Sequence, residues 1–550
     1  MISGARPHAS GPLGHTSTGR GSPLRRLRSI STALVLGAAV AATGLSTTGC
    51  RTSSSDIERW SSTLQGPRKL VEVITHAKYP IDLRAEAALA LIRMKPRSGK
   101  RVGIELMLEA MKDVPPADRV QLLERMVPIL EAEMKKPAPK AQGGQAVADP
   151  SVAFKDGAFA LLSHDGGALV ADEAVRQRLR GALTEWAVTD FAVRMDEPAQ
   201  MFAMEQVMRA LGAQGVRDLP KQVVPGGAKI DRMIDLIAEL GDDDTKQRAS
   251  SALVVVARDV DSPKWIEAKT PEVRDANDRQ KIKYTQGQLE MQVATYQDET
   301  LAKIFTSMRR LGGAPVVDYL LEYAGRKWAG TGAEPESMVK RRATALAALD
   351  RKIDKNNPKQ VAALLAIMGA PETPDLVRDA AVRRVGELPR PLVISALFDL
   401  FKSPKWKVRW MAAELALSMS DTSHIDEFFQ KLGQAEGFSL TEPLRYGQLI
   451  GEMKGPGKPL ELLEKHMGAG PAVVRMSALA YYFSFGKKAD LAKLEPFAGD
   501  RTRAPECGKD AADCEWKCSV PVGDKTESKD VKTVGDYVQF CVKPAMEKRT

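Results

Sequence analysis

The feature that most constrains this chain is an Arg followed three residues later by a small side chain, recurring on helix after helix at a nearly fixed spacing. Arg342 with Ala345, Arg378 with Ala381, Arg409 with Ala412 and Arg475 with Ala478 all obey it, at separations of 36, 31 and 66 residues. The last interval divides at Arg445 into 36 and 30, although Gln448 there is not small. Arg84 with Ala87 and Arg248 with Ser251 extend the set upstream, and Arg119 and Lys155 are weaker members at steps of 35 and 36. A unit of that size cannot bury its own apolar face, so neighbours must stack into one continuous core.

Between Asp56 and Asp500 the periodicity is helical, with apolar residues near i, i+3, i+4 and i+7 in stretches such as 83–91, 120–130, 230–240, 376–388 and 406–419. Breaks fall at Gly, Pro or Asp, as in Gly241-Asp242-Asp243-Asp244 and Lys402-Ser403-Pro404. No segment of that span alternates as a strand. Aromatic residues are scarce, at 5% of 550 residues, while Ala, Leu, Val and Met carry the apolar content, which suits closely packed helices better than a β-sandwich.

The helices Val377-Arg378-Asp379-Ala380-Ala381-Val382, Val408-Arg409-Trp410-Met411-Ala412-Ala413 and Val474-Arg475-Met476-Ser477-Ala478-Leu479 resemble the HEAT-repeat superfamily, including the HEAT-like units named after phycobilisome lyases. The resemblance implies an all-α fold, an α-α superhelix of antiparallel helix pairs, about twelve or thirteen of them at ~35 residues each. In such a unit the small residue lets adjacent helices approach. The Arg stem packs while the guanidinium reaches a carboxylate or loop carbonyl, so Arg84, Arg248, Arg342, Arg378, Arg409 and Arg475 are expected to be structural. The expected organisation is a signal over 1–49, helical repeats over 50–136, a Pro/Gly/Ala linker at 137–150, repeats over 151–261, an irregular polar helical insertion at 262–312, HEAT-like repeats over 313–500 and a Cys-containing cap at 501–550.

Residues 1–49 carry five Arg and no acid, so half of the formal charge of +10 belongs to that segment. A basic stretch, Arg25-Arg26-Leu27-Arg28, precedes an apolar run from Ile30 to Leu45 that is too short and too diluted with Gly, Ser and Thr to span a membrane, and this reads as a cleaved export signal. Ser46-Thr47-Thr48-Gly49-Cys50 resembles the lipobox of bacterial lipoproteins. Gly49 and Cys50 match it, whereas Thr47 stands where Leu is usual. The resemblance implies lipidation of Cys50, and Arg51, in place of the Asp that marks inner-membrane retention, implies the outer membrane. An ordinary small-residue cleavage site at Ala39-Val40-Ala41 would instead release a soluble periplasmic protein.

The other four cysteines, Cys507, Cys514, Cys518 and Cys541, cluster near the C-terminus, the pattern of two disulfides in an exported chain. Three pairings are open, and the short intervals favour Cys507 with Cys514 and Cys518 with Cys541. A four-thiolate zinc site is the alternative, but no C-x-x-C knuckle is present.

No catalytic constellation emerges. Ser163-His164-Asp165 has triad residue types in adjacent positions, which point in different directions, and reads as a turn before Gly166-Gly167. G-x-S-x-G, H-E-x-x-H and G-x-x-x-x-G-K-[ST] motifs do not occur. Met195, Met201, Met204 and Met208 form a stripe that reads as core, with Cu(I) capture as the functional alternative. Basic residues are mixed with acids along the helices, which argues against nucleic acid as a partner. The expectation is a non-catalytic scaffold without cofactor or metal, anchored by an N-terminal lipid and binding another protein through the solenoid surface. A lyase-like enzyme-associated repeat protein and a structural envelope protein are the alternatives.

Overall fold

The computed structural model describes residues 52–96, 100–139, 147–197, 200–434, 443–505, 517–522 and 525–549. The signal, Cys50, the middle of the 137–150 linker, Cys507 and Cys514 lie outside the described residues. Residues from Ser53 onward form one compact unit.

Its helices pack as two layers. The Ile81–Arg93 helix lies between Gly66–Thr75 and Pro116–Met134, and Pro116–Met134 continues to Glu173–Val188. Further along, Ile230–Leu240, Gln286–Leu311, Glu336–Ala348 and Asp375–Val385 pack side by side as the second helices of successive pairs. Asp243–Val260, Ala314–Ala324, Pro358–Gly369 and Arg390–Asp399 do the same as the first helices. The protein is therefore an all-α solenoid. Ten successive pairs can be traced among the described residues, Met204–Leu211 serving as the first helix before Ile230–Leu240, and they are fewer than the period alone implies because the segments 189–203, 212–229 and 261–285 lengthen the connections.

Close approach of helices depends on small residues. Ala87, Ala345, Ala381, Ala412 and Ala478 are all fully buried. In the pair containing Arg445, where Gln448 breaks the pattern, Gly447 takes over the function. A Cβ on Gly447 would lie 2.1 Å from the Ala480 carbonyl oxygen of the Ala472–Phe485 helix, so no side chain fits there.

The 262–312 insertion is a pair of helices, Pro263–Arg279 and Gln286–Leu311, packed on each other. Pro263–Arg279 buries only Trp265 and Asn277, whereas the second half of Gln286–Leu311 buries Leu301, Ile304, Phe305, Met308 and Leu311 in the common core. The insertion is thus half extra helix and half regular repeat. Across the 137–150 linker, Pro116–Met134 packs on both Ser151–Ser163 and Glu173–Val188.

The C-terminal cap contains a two-stranded antiparallel hairpin, Lys517–Val522 with Lys525–Asp530, which the sequence does not announce. Its Cys518 is disulfide-bonded to Cys541, with Cα atoms 5.4 Å apart. The cap is less polar in effect than its composition suggests. Val534, Tyr537, Val538, Val542 and Met546 are buried, and the terminal helical turns pack on Ala472–Phe485.

Candidate functional site

The recurring arginines occupy one structural position. Arg378 is 1% exposed and its guanidinium donates to the carbonyls of Met368 at 2.6 Å, Thr373 at 2.8 Å and Ala370 at 3.1 Å, which end the preceding helix and form the turn after it. Arg84 donates from Nε to Ile74 O at 2.8 Å and pairs with Asp118 of the next unit at 2.9 Å. Arg342 donates to Ala324 O at 2.8 Å and pairs with Glu334 at 2.6 Å. Arg409 reaches Ser403 O and Pro404 O, and Arg475 reaches Gly470 O and Asp500. Each thus satisfies carbonyls at a helix end or in the turn after it, which is why Arg84, Arg342, Arg378 and Arg409 are tolerated as buried cations. Burial pulls the Arg378 guanidinium below its usual range, while Asp375, Asp379 and Glu372 oppose that shift.

Arg248 is the exception. It lies on Asp243–Val260, a first-layer helix, so its side chain is half-exposed, its contacts are Asp244 and Arg217 O, and its spaced partner Ser251 is exposed. The neighbouring Ser250 makes the buried contact instead, donating to Gly312 O at 2.7 Å. Lys155 likewise sits on a first-layer helix. The member missed at that point of the chain is Arg176 on Glu173–Val188, which donates to Val170 O at 2.7 Å. A residue count alone could not find it, because the linker shifts the register.

Lys155 belongs to a different arrangement. Ser151–Leu161 is buried on every face, so the adjacent Lys155 and Asp156 are both fully buried. Asp156 pairs with Lys155 at 2.7 Å and Arg101 at 3.0 Å and accepts from the backbone N–H groups of Met201 and Phe202. Lys155 also donates to Gln200 and to Phe202 O. Burial pushes the Lys155 ammonium below its ordinary pKa, with the Asp156 charge opposing. Nearby, Arg194 lies 4.8 Å from the Trp186 ring centroid and bonds Asp149, Trp186 O and Lys136 O. Every one of these charges is engaged, so the cluster holds the fold together. Met204 and Met208 are buried beside it as core, and Met195 and Met201 are half-buried. Ser163-His164-Asp165 forms a tight turn with Asp165 and Gly166 at positive φ, so the three side chains do not converge.

A concavity with a volume of about 960 Å³ lies between Ala314–Ala324 and Pro358–Gly369, beneath the 325–335 connection. Leu321, Ala363, Ile367, Pro374 and Trp328 give it an apolar floor. Trp328 is 38% exposed. Gly330 lies against its indole, where a Cβ would come within 2.1 Å of the ring. Much of the charged rim is already paired, Lys327 with Glu372 at 2.7 Å, Arg342 with Glu334 at 2.6 Å, and Arg326 with Asp261, while Lys359 stands exposed at its edge. Arg326 also stacks 4.3 Å from the Tyr323 ring centroid, and burial followed by the Asp261 charge pushes the Tyr323 hydroxyl up to about 12. Gln360, almost wholly buried, donates to Asp318 at 2.7 Å and accepts from Asp354 N–H. An apolar floor with a neutralised polar rim suits a side chain or short segment of another macromolecule. Of the groove residues only Arg342 is singled out by the sequence pattern, since Trp328 and Gln360 meet only after the units stack.

Among the described residues no group of three or more His, Cys, Asp or Glu is placed to hold a metal ion, and no helix is long and apolar enough to cross a membrane. No protein-family model matches the chain, and no curated protein matches it. Among solved structures, the crystal structure of Kap121p bound to Pho4p aligns with 80% of this chain and 44% of its own, at 12% identity and a TM-score of 0.21. The chain thus spans less than half the length of that protein, and so loose a superposition adds nothing to what the helices themselves show.

Proposed function

We propose that the protein is an exported scaffold, anchored by a lipid on Cys50 at the outer membrane, that binds another protein through its solenoid surface and performs no turnover. The observation that carries the binding reading is the groove under the 325–335 connection. Its exposed Trp328 and apolar floor offer contact area, and most of its rim charges are neutralised in advance, so an occupant meets few unpaired ions there beyond the exposed Lys359. The anchor reading rests on the resemblance of Gly49-Cys50 to a lipobox and on the short apolar run before it.

A photo-crosslinking residue at position 328 in the intact envelope protein tests the groove. A discrete crosslinked protein that disappears with Ile367→Lys is the expected result, and crosslinks unchanged by that substitution would overturn it. The mass of the mature N-terminus tests the anchor separately: a diacyl- or triacyl-modified Cys50 supports it, and a start near residue 42 defeats it.

A further inference from the structure

The turn joining the first two helices exposes a leucine that the fold gives no reason to expose. Leu64 is 84% exposed, more than any other large apolar side chain among the described residues. The turn is not loose. Thr63 N–H donates to Trp60 O, Gly66 N–H donates to Thr63 O, and a Cβ on Gly66 would lie 1.7 Å from Trp60 O, so Leu64 is presented by a fixed backbone. Around it the eleven residues from Arg59 to Lys69 hold three cations and no acid, and of the three Arg59 is paired with Asp56 at 2.7 Å. Arg68 is fully extended into solvent, with Glu72 no nearer than 3.9 Å, and the Lys69 ammonium lies 5.1 Å from the ring centroid of the half-buried Trp60.

We infer that this turn is a docking surface for an anionic phospholipid bilayer, with Leu64 entering the headgroup region and Arg68 and Lys69 facing lipid phosphates. The inference rests on the anchor at Cys50. Three residue steps separate Cys50 from Ser53, at most about 11 Å of chain. The helix Ser54–Ser61 adds about 12 Å. The turn is therefore tethered within roughly 25 Å of the anchored lipid, so the bilayer surface is the one partner always within reach. A leucine followed by two cations, beside a tryptophan, has the chemistry of an interfacial contact. Its consequence is orientation, because a single lipid leaves the solenoid free to rotate about its point of attachment while a second contact fixes one end against the membrane.

The test uses the mature-length chain from residue 50 with Cys50→Ser, which removes the lipid, and vesicles of phosphatidylglycerol with phosphatidylcholine or of phosphatidylcholine alone. Each cation near an anionic surface contributes about fivefold in partition. Burial of Leu64 contributes roughly tenfold or more. Co-sedimentation with the anionic vesicles is expected, weakened about tenfold by Leu64→Glu and more by Arg68→Glu with Lys69→Glu, and weakened by added salt. Circular dichroism checks that the variants remain folded, which surface substitutions in a turn should permit. Binding that Leu64→Glu leaves unchanged, or no preference for phosphatidylglycerol, would overturn the inference, including the case in which the turn serves a protein instead. An unmodified Cys50 combined with variant-sensitive vesicle binding would defeat the anchor and leave the docking turn standing.

Discussion

Residues 101–202 and residues 314–485 are both stacked helix pairs, yet they bury charge in opposite ways. In the later region Arg342, Arg378, Arg409 and Arg475 come from different units, and their partners are mostly backbone carbonyls at the preceding turn, as with Arg378 and Arg409. Such a bond is local, so it repeats with the unit. In the earlier region the buried charges are Asp156 with Lys155 and Arg101, and beside them Arg194 with Asp149, brought together across connections of irregular length. That network occurs once. A repeat with a constant period can satisfy its cations by rule, whereas a stretch whose connections vary needs a bespoke set of partners.

This contrast can be broken at its strongest point first. Asp156→Ala should cost about 3–5 kcal/mol, because it strands two buried cations and two backbone donors, and denaturant unfolding measures it. Arg378→Ala should cost about 2–4 kcal/mol by leaving three carbonyls without their donor, and Arg378→Lys should recover only part of that because a single ammonium cannot reach all three. Cys518→Ser, read under oxidising conditions, should cost about 3 kcal/mol for a bridge spanning 23 residues. Arg248→Ala, outside the repeating position, should stay within about 0.5 kcal/mol, and a loss near that of Arg378→Ala would erase the distinction between layers.

A smaller test uses pH. The Arg384 bond, reinforced by Arg309, holds the Asp350 carboxyl below its ordinary value. A folded pKa below the unfolded one stabilises fully above about pH 4 and is lost as pH falls through the folded value. The difference in melting temperature between the native chain and Asp350→Asn should therefore be present at pH 7 and close under acid. A gap that persisted at pH 2 would show that the aspartate acts through packing and not through charge.

The layered helical architecture was legible because its cause is local. Arg84, Arg342, Arg378 and Arg409 sit a fixed number of residues from a buried alanine, and periodicity reports that directly. Arg248 misled because its spacing suits the period while its helix belongs to the other layer, a fact set by how connections are routed and not by sequence interval. The pairing of Cys518 with Cys541 followed from proximity along the chain. Lys155 and Asp156 left a trace in retrospect, two charges in a helix apolar on every other face, but their partners Arg101 and Gln200 lie too far away in sequence to be read. The groove was illegible for the same reason, since Trp328 and Gln360 become neighbours only through stacking.

A stack of like units has no intrinsic length, for the last pair offers the same apolar face that every earlier pair hid. Here Arg549 closes the series. Its guanidinium binds the carbonyls of Tyr482, Phe483 and Gly486, the position a further repeat arginine would take, while Met546 and Val542 fill the apolar space beside it. The hairpin bonded to Cys541 holds that imitation in place. The cap is in this sense a repeat rebuilt from other parts: it mimics the next unit closely enough to satisfy the one before it.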